Sequence, residues 1–146
     1  MKYYITCWEK YAVFSGRACR EEFWTFSLLN IFILYGLGFV IGWCNSLVGN
    51  SEETSLAGAV SDALGILLGL PLLVLYFGFL LAALLPMLAV QVRRLHDTGR
   101  SGWNYLWGFL PIIGGIILFV FNLLDSQPGP NKYGPNPKET PPPVAK

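Results

Sequence analysis

The sequence has 146 residues, of which 53% are hydrophobic and only 13% are charged, and its formal net charge is +1. Because soluble domains usually have about 25% charged residues, this composition excludes an ordinary soluble domain and favours an all-α membrane protein. We expect no nucleic-acid partner.

The first element predicted along the chain is a short N-terminal helix lying in the membrane interface. Tyr4, Trp8 and Tyr11 recur at helical spacing, and the charged residues of the same segment lie largely away from that aromatic stripe. One aromatic face and one charged face are typical of a helix that lies in the headgroup region.

Three apolar blocks follow, and none of them contains an acidic residue, a basic residue or histidine. The hydrocarbon core of a bilayer is about 30 Å thick and needs about 20 apolar residues per helix. The second block is longer than one span needs but too short for two, so we predict three transmembrane helices. A break near Pro71, with a short helix before it drawn from 56–70, is the alternative and gives four helices. The three blocks are 23–44, 63–92 and 103–124.

The basic residues predict how these spans are oriented, because lysine and arginine are retained on the cytoplasmic side of a membrane. Four of them precede the first span, none lies in the loop at 45–62, and three lie in the loop at 93–102. This alternation predicts a cytoplasmic N-terminus, and with three spans it predicts an external C-terminus.

The charged residues on the predicted cytoplasmic side form a cluster that we single out as the candidate site. Its arginines first of all indicate the side of the membrane on which their segments lie. They also suit contact with anionic phospholipid headgroups or with a partner protein. Asp97 needs a cation beside an anionic surface, so we expect it to pair with an arginine of the cluster other than Arg100. The cluster comprises Arg17, Arg20, Glu22, Arg93, Arg94, His96, Asp97 and Arg100.

The chain ends in a segment rich in proline and glycine, DSQPGPNKYGPNPKETPPPVAK (125–146). Such a composition cannot bury a core, so we divide the chain into one helical transmembrane domain at 1–128 and a flexible, extended tail at 129–146. Tyr133 is the one sizeable apolar group of the tail, and we expect it to dock near the membrane surface.

Three motifs around the apolar blocks resemble a known family. They are FSGRACREEFW (14–24), RRLHDTGRSGW (93–103) and PGPNKYGPNP (128–137), in this order. Together they resemble the bacterial inner-membrane family of the domain of unknown function 805, over nearly the whole chain. Asn104 departs from the pattern, because relatives often have a second aromatic residue there. The resemblance implies a multi-pass protein of the bacterial inner (plasma) membrane and implies no activity.

A non-enzymatic membrane protein that binds a lipid or a partner is the function that we favour from the sequence. Small residues such as Gly65 and Gly69 let helices approach closely, so a second copy of the chain or another membrane protein is a suitable partner. The main alternative is a component of a small oligomeric transporter or channel, although the predicted spans lack the charges that usually mark ion paths.

An enzyme acting on lipid headgroups is the weaker alternative. The arginines have the geometry to clamp a phosphate, and His96 or Asp97 has the chemistry to move a proton. No nucleophile–base pair, paired acidic metal motif or glycine-rich phosphate loop accompanies them, so we expect no catalytic residue. Cys7, Cys19 and Cys44 lack metal-ligand spacing, and we expect isolated thiols with no metal and no cofactor.

Overall fold

The computed structural model describes residues 2–48 and 56–139 of the chain. Within these ranges the backbone forms helices and turns with no β-strand, which confirms the all-α prediction. The contacts among residues divide the chain into two compact units, Met1–Leu28 with Leu84–Lys146, and Leu29–Ala83. The helices are α1 (Lys2–Glu9), α2 (Arg20–Val48), α3 (Leu56–Asp97), a 3₁₀ helix (Gly102–Phe109) and α4 (Ile113–Leu123).

The two longest helices, α2 and α3, contain the first two predicted spans. A stretch of 27 residues in α2 (Arg20–Ser46) and one of 40 residues in α3 (Gly58–Asp97) are long and apolar enough to cross a membrane. Because α3 is continuous over 42 residues, the alternative break near Pro71 is not observed. At 1.5 Å per residue α3 is about 60 Å long, which is about twice the thickness of a hydrocarbon core. A helix of that length must tilt or extend beyond the membrane.

The unit Leu29–Ala83 contains the C-terminal part of α2 and the N-terminal part of α3, and its large apolar side chains are mostly exposed. Phe32, Tyr35 and Phe39 are 77%, 78% and 70% exposed. So many exposed apolar rings require an apolar environment around the helices.

Part of the predicted loop at 45–62, including its two glutamates, lies outside the described residues.

α3 continues past the end of the predicted second span and includes part of the predicted charged loop. The segment 93–97 is helical, whereas the sequence predicted a loop at 93–102. The helix ends at Asp97 and is terminated by Gly99, whose φ of 76° is in the left-handed region. The amide N–H groups of Gly99 and Arg100 donate to carbonyl groups of the last helical turn, both at 3.0 Å. These two hydrogen bonds form the Schellman motif, which ends helices at glycine. No residue before Gly99 stops the helix, so the charged loop begins later than the sequence predicted.

The third apolar block, 103–124, does not form the single helix that we predicted. It contains most of the 3₁₀ helix and all of α4, and these two helices pack against each other. Between them, Pro111 has no N–H for a helical hydrogen bond, and Ile112 has φ 65°, which an α-helix does not allow. With 8 and 11 residues, the two helices are each about 16 Å long, or about half of a hydrocarbon core. We call residues 102–124 the apolar hairpin.

Two contacts hold the apolar hairpin closed and attach it to α3. A Cβ atom on Gly114 would lie 1.7 Å from the carbonyl oxygen of Trp107, so only glycine fits at this crossing. The side-chain amides of Gln91 and Asn122 exchange two hydrogen bonds, of 3.2 and 3.3 Å, which join α3 to the end of α4.

The predicted N-terminal helix is present as α1, and its aromatic stripe packs against the protein. The ring centroids of Tyr4 and Trp8 lie 5.3 and 6.1 Å from that of Phe26 on α2. Tyr3 and Ile5, by contrast, are 40% and 55% exposed. α1 thus covers a small core at the start of α2 and the end of α3. This core contains Cys7, Ala18, Phe23, Phe26 and Val90.

Candidate functional site

Asp97 is the centre of the charged cluster and is completely buried. Its Oδ1 accepts a hydrogen bond from Nε of Arg17 at 2.9 Å, and its Oδ2 accepts one from Nη1 of Arg94 at 2.5 Å. The hydroxyl of Ser126 also donates to Oδ2, at 2.6 Å. The expected pairing of Asp97 with an arginine is therefore confirmed, with two partners rather than one. These contacts join the N-terminal segment, the end of α3 and the residues that follow the apolar hairpin.

A second buried ion pair joins α2 to α3. Nη1 of Arg93 lies 2.6 Å from Oε1 of Glu22, and both side chains are buried. The thiol of Cys7 donates to the same carboxylate oxygen at 3.7 Å. Burial, and after it the negative charge of Glu22, raises the pKa of Cys7 to about 12. Because such a thiol stays protonated at neutral pH, Cys7 is not an activated nucleophile.

Arginine side chains cap the C-terminal end of α4. A helix leaves its last four carbonyl groups without an intrahelical partner. Nη1 of Arg20 donates to the carbonyl of Leu123 at 3.2 Å, and Nη2 of Arg94 donates to the carbonyls of Asn122, at 3.3 Å, and Leu124. Cations are favourable at this end because the helix dipole is negative there. The apolar hairpin therefore ends beside the last turn of α3, close to where it begins.

The residues between the apolar hairpin and the tail, and the first residue of the tail, lie across the cluster and are bound through their backbone. The guanidinium of Arg17 donates to the carbonyl oxygens of Gln127, at 2.6 Å, and Gly129, at 2.8 Å. In return, the amide N–H of Gln127 donates to the carbonyl of Asp97 at 2.9 Å. The part of the predicted flexible tail before residue 140 thus makes specific contacts, and the rest lies outside the described residues.

His96 is held between the N-terminal segment and the tail. Its Nδ1 lies 3.3 Å from the carbonyl oxygen of Gly16, and its ring stacks on that of Tyr133, with 3.8 Å between centroids and 5° between planes. The side-chain amide of Asn131 donates to the carbonyl of His96 at 2.9 Å. Tyr133, which we expected to dock near the membrane surface, thus docks on His96.

The outer edge of the cluster is solvent-accessible. Nη2 of Arg20 lies 3.4 Å from Oδ2 of Asp125, and Lys138 pairs with the same carboxylate. The hydrogen bond from Lys138, and after it that from the amide of Ser126, lowers the pKa of Asp125. The guanidinium of Arg100 lies 3.7 Å from the centroid of the Phe121 ring, which is a cation–π contact. The exposed ion pairs of Asp125 with Arg20 and Lys138 contribute little to the stability of the fold.

The eight predicted site residues therefore fall into two groups. The buried group has three cations and two carboxylates, so one positive charge is left over, and none of its members offers a free surface to a headgroup. The accessible group consists of Arg20, His96 and Arg100. The candidate site predicted from the sequence did not include the residues that follow the apolar hairpin, since their main contribution is backbone carbonyl groups. The motif PGPNKYGPNP (128–137) of the family resemblance was the signal that could have found them. The buried group is Arg17, Glu22, Arg93, Arg94 and Asp97.

The pairing of its charged groups determines what the described part of the cluster can do. No group of three or more histidine, cysteine, aspartate or glutamate side chains in residues 2–48 and 56–139 is arranged to hold a metal ion. The carboxylates of Glu22 and Asp97 are both engaged by arginines that remain charged. The buried pairs can fix three segments to one another, and the outer cations can attract an anion.

The chain is similar to known bacterial proteins over almost its entire length. The model of the family described as protein of unknown function (DUF805) matches residues 11–135. Inner membrane protein YhaI of Escherichia coli (strain K12) is 37% identical over 138 residues, which are 94% of this chain and 97% of the relative. Inner membrane protein YhaH of the same organism is 38% identical over 144 residues, 97% and 100% of the two chains. No solved structure matches. With this match and two helices able to cross a bilayer, the chain is an integral membrane protein and belongs to the DUF805 family.

Proposed function

We propose that the chain is a non-enzymatic protein of the bacterial inner membrane that crosses the bilayer twice and has both ends in the cytoplasm. α2 and α3 are the two spans, and the apolar hairpin enters the membrane from the cytoplasmic side and returns to that side. Its function is to bind anionic lipid headgroups through the segments around the buried cluster. We call these segments, residues 2–22, 93–101 and 125–139, the cytoplasmic cap.

The two ends of the apolar hairpin carry the argument for two spans. The hairpin begins directly after Ser101, which follows α3 by four residues. At its other end, the carbonyls of Asn122 and Leu124 accept hydrogen bonds from Arg94 in the last turn of α3. A segment whose two ends lie at one end of the same helix does not cross the bilayer. Phe109 and Ile112 near its tip are 80% and 82% exposed, which suits a tip surrounded by hydrocarbon.

The distribution of basic residues supports the same topology. The chain has ten lysines and arginines, and none of them lies in the loop at 45–62, which has only acidic charges. With two spans, all ten lie on the same side as the N-terminus. With three spans, Lys132, Lys138 and Lys146 would lie outside, against the rule that basic residues are retained in the cytoplasm. The two-span topology removes that exception.

The accessible cations of the cytoplasmic cap support binding to lipid headgroups. The side chain of Arg20 is 42% exposed, and Lys132 is also exposed. A basic side chain near an anionic bilayer surface contributes about 1 kcal/mol of attraction. The arginines of the buried cluster are already paired, so their contribution is to hold the segments of the cap together.

The test is to identify what accompanies the protein out of its native membrane. The full chain is extracted in polymer nanodiscs, and its lipids are compared with those of the whole membrane. A double variant, Arg20→Gln with Arg100→Gln, removes two accessible cations but none of the buried cluster. We expect anionic lipids to be enriched around the parent and less enriched around the variant. A membrane protein that copurifies stoichiometrically, without lipid enrichment, would contradict lipid binding and favour a protein partner.

A further inference from the structure

A cleft of about 290 Å³ opens beside the buried cluster, where the end of α3, the start of the 3₁₀ helix and the tail meet. Pockets for drug-sized ligands begin at about 300 Å³, so the cleft suits a lipid headgroup rather than a whole lipid. Its lining includes the polar side chains of His96 and Ser101 and the rings of Trp103, Tyr105 and Tyr133.

His96 presents one defined nitrogen to the cleft. Its Nδ1 is close to the carbonyl oxygen of Gly16, which only accepts hydrogen bonds, so the ring proton of the neutral imidazole lies on Nδ1. Nε2 is then a hydrogen-bond acceptor. A Cβ atom on Gly102, another residue of the lining, would lie 3.4 Å from Nε2. The stack with Tyr133 fixes the plane of the imidazole.

The charges around the cleft favour an anion. None of the lining residues in the described part of the chain is an aspartate or a glutamate, and the ammonium group of Lys132 lies 4.9 Å from the centroid of the Tyr133 ring. The hydroxyl of Ser101 accepts a hydrogen bond from the amide of Trp103, and its own proton is available to an acceptor. Trp103 is 79% exposed, and an exposed tryptophan beside a span is typical of headgroup depth.

We propose that this cleft binds the headgroup of an anionic phospholipid that has free hydroxyl groups, of which phosphatidylglycerol is the simplest. A headgroup hydroxyl donates to Nε2 of His96, and the phosphate oxygens accept from Lys132 and Ser101. The glycerol carbons pack against the ring of Trp103. This inference rests on the proposed cytoplasmic cap, because only that placement brings the cleft to a membrane surface.

The tail is part of this site, so binding and tail docking are linked. Tyr133 is the lining residue that the tail contributes, and Lys132 is its neighbour. A ligand that binds only the docked form stabilises that form by mass action. We therefore expect phosphatidylglycerol to raise the melting temperature of the full chain in detergent, and phosphatidylcholine to leave it unchanged.

The binding test uses native mass spectrometry of the full chain in mild detergent. Phosphatidylglycerol, phosphatidic acid and phosphatidylcholine are offered in equal amounts. His96→Phe preserves an aromatic stack on Tyr133 but removes the acceptor, and Lys132→Gln removes the cation at an exposed position. Lys138→Gln is the matched control, because it removes the same charge from the same tail away from the cleft. We expect the parent and the control to retain phosphatidylglycerol, and each cleft variant to retain about fivefold less, the loss typical of one hydrogen bond or ion pair.

Several results would overturn the proposal. One is equal retention of phosphatidylglycerol and phosphatidylcholine by the parent, and another is unchanged retention by both cleft variants. Retention of phosphatidic acid equal to that of phosphatidylglycerol would show that the headgroup hydroxyl groups do not contribute to binding. Displacement of the lipid by millimolar inorganic phosphate would indicate a site for a soluble anion instead. A C-terminus found outside the cell would refute the topology that we propose, and this result is separate from binding measured in detergent.

Discussion

Arg17 and Asp97 are 80 residues apart in the chain, and Nε of the first lies 2.9 Å from Oδ1 of the second, with both side chains almost completely buried. A buried carboxylate is unfavourable without a cation, because water no longer solvates it. This pair, together with Arg94, therefore makes the docking of the N-terminal segment on α3 a requirement for a stable fold.

Asp97→Asn should destabilise the protein strongly. The substitution leaves two arginines buried around a neutral amide, and removing one member of a buried ion pair typically costs about 3–5 kcal/mol. The measurement is the free energy of unfolding in mixed detergent micelles as the fraction of denaturing detergent increases. Double-mutant cycles of Asp97→Asn with Arg17→Gln and with Arg94→Gln should both give coupling, since both arginines contact the carboxylate. Asp125→Asn, at an exposed ion pair, is the control, and a parent-like Asp97→Asn would contradict this role of Asp97.

The position of the C-terminus tests the two-span topology directly. A fluorescent protein fused after Lys146 should fluoresce, whereas alkaline phosphatase at the same site should be inactive, because both would lie in the cytoplasm. Phosphatase inserted in the loop at 45–62 should be active and serves as the control. An active phosphatase at the C-terminus would mean an odd number of spans and would restore the single third span.

The apolar blocks predicted the two long helices, because an uninterrupted apolar run of sufficient length has few other stable conformations in a membrane. The same reasoning failed for 103–124. It counted apolar residues, whereas the outcome depends on the backbone at Pro111 and Ile112 and on the close approach at Gly114. One spanning helix and a hairpin of two short helices would place the same apolar residues in lipid, so composition alone does not distinguish them.

The charged site was partly predictable for a similar reason. A carboxylate near a membrane needs a cation, and this argument led to the pairing of Asp97 with an arginine. It did not reveal that Arg17 also binds the carbonyl groups of Gln127 and Gly129. Every residue has a carbonyl group, so the acceptor in such a contact leaves no mark in the sequence.

Gly114→Ala should open or distort the apolar hairpin. The new methyl group would overlap the carbonyl oxygen of Trp107, and backbone shifts that relieve such overlap cost about 1–3 kcal/mol. Gly115→Ala is a matched control one residue later, where a Cβ would meet nothing within 4 Å, and alanine is the better helix former. Thermal unfolding in detergent should therefore show a lower melting temperature for the first variant only. Equal melting temperatures would mean that the hairpin is not closely packed at Gly114.

Cys7 should react slowly with thiol reagents as long as the fold is intact. Its pKa of about 12 leaves a thiolate fraction of about 1 in 10,000 at pH 8, and the sulfur is also completely buried. The test uses a variant with Cys19→Ser and Cys44→Ser, and follows iodoacetamide labelling with and without denaturing detergent. Labelling should be at least about 100-fold faster after denaturation. Because the raised pKa keeps the thiol neutral in the fold, raising the pH towards 12 should increase the native rate. Fast labelling of the folded protein at pH 8 would contradict the burial of Cys7 in the small core on which α1 packs.

The hydrogen bonds of Arg17 also determine the order in which the molecule is completed during synthesis. Arg17 leaves the ribosome early, yet one of its acceptors, the carbonyl of Gly134, is made 117 residues later. Until Gln127 is made, its guanidinium has only water and, once α3 exists, Asp97 as partners. The earliest segment of the chain is therefore among the last to reach its final environment, and a nascent chain that stops before Gln127 contains α2 and α3 but lacks the carbonyl groups that complete the contacts of Arg17.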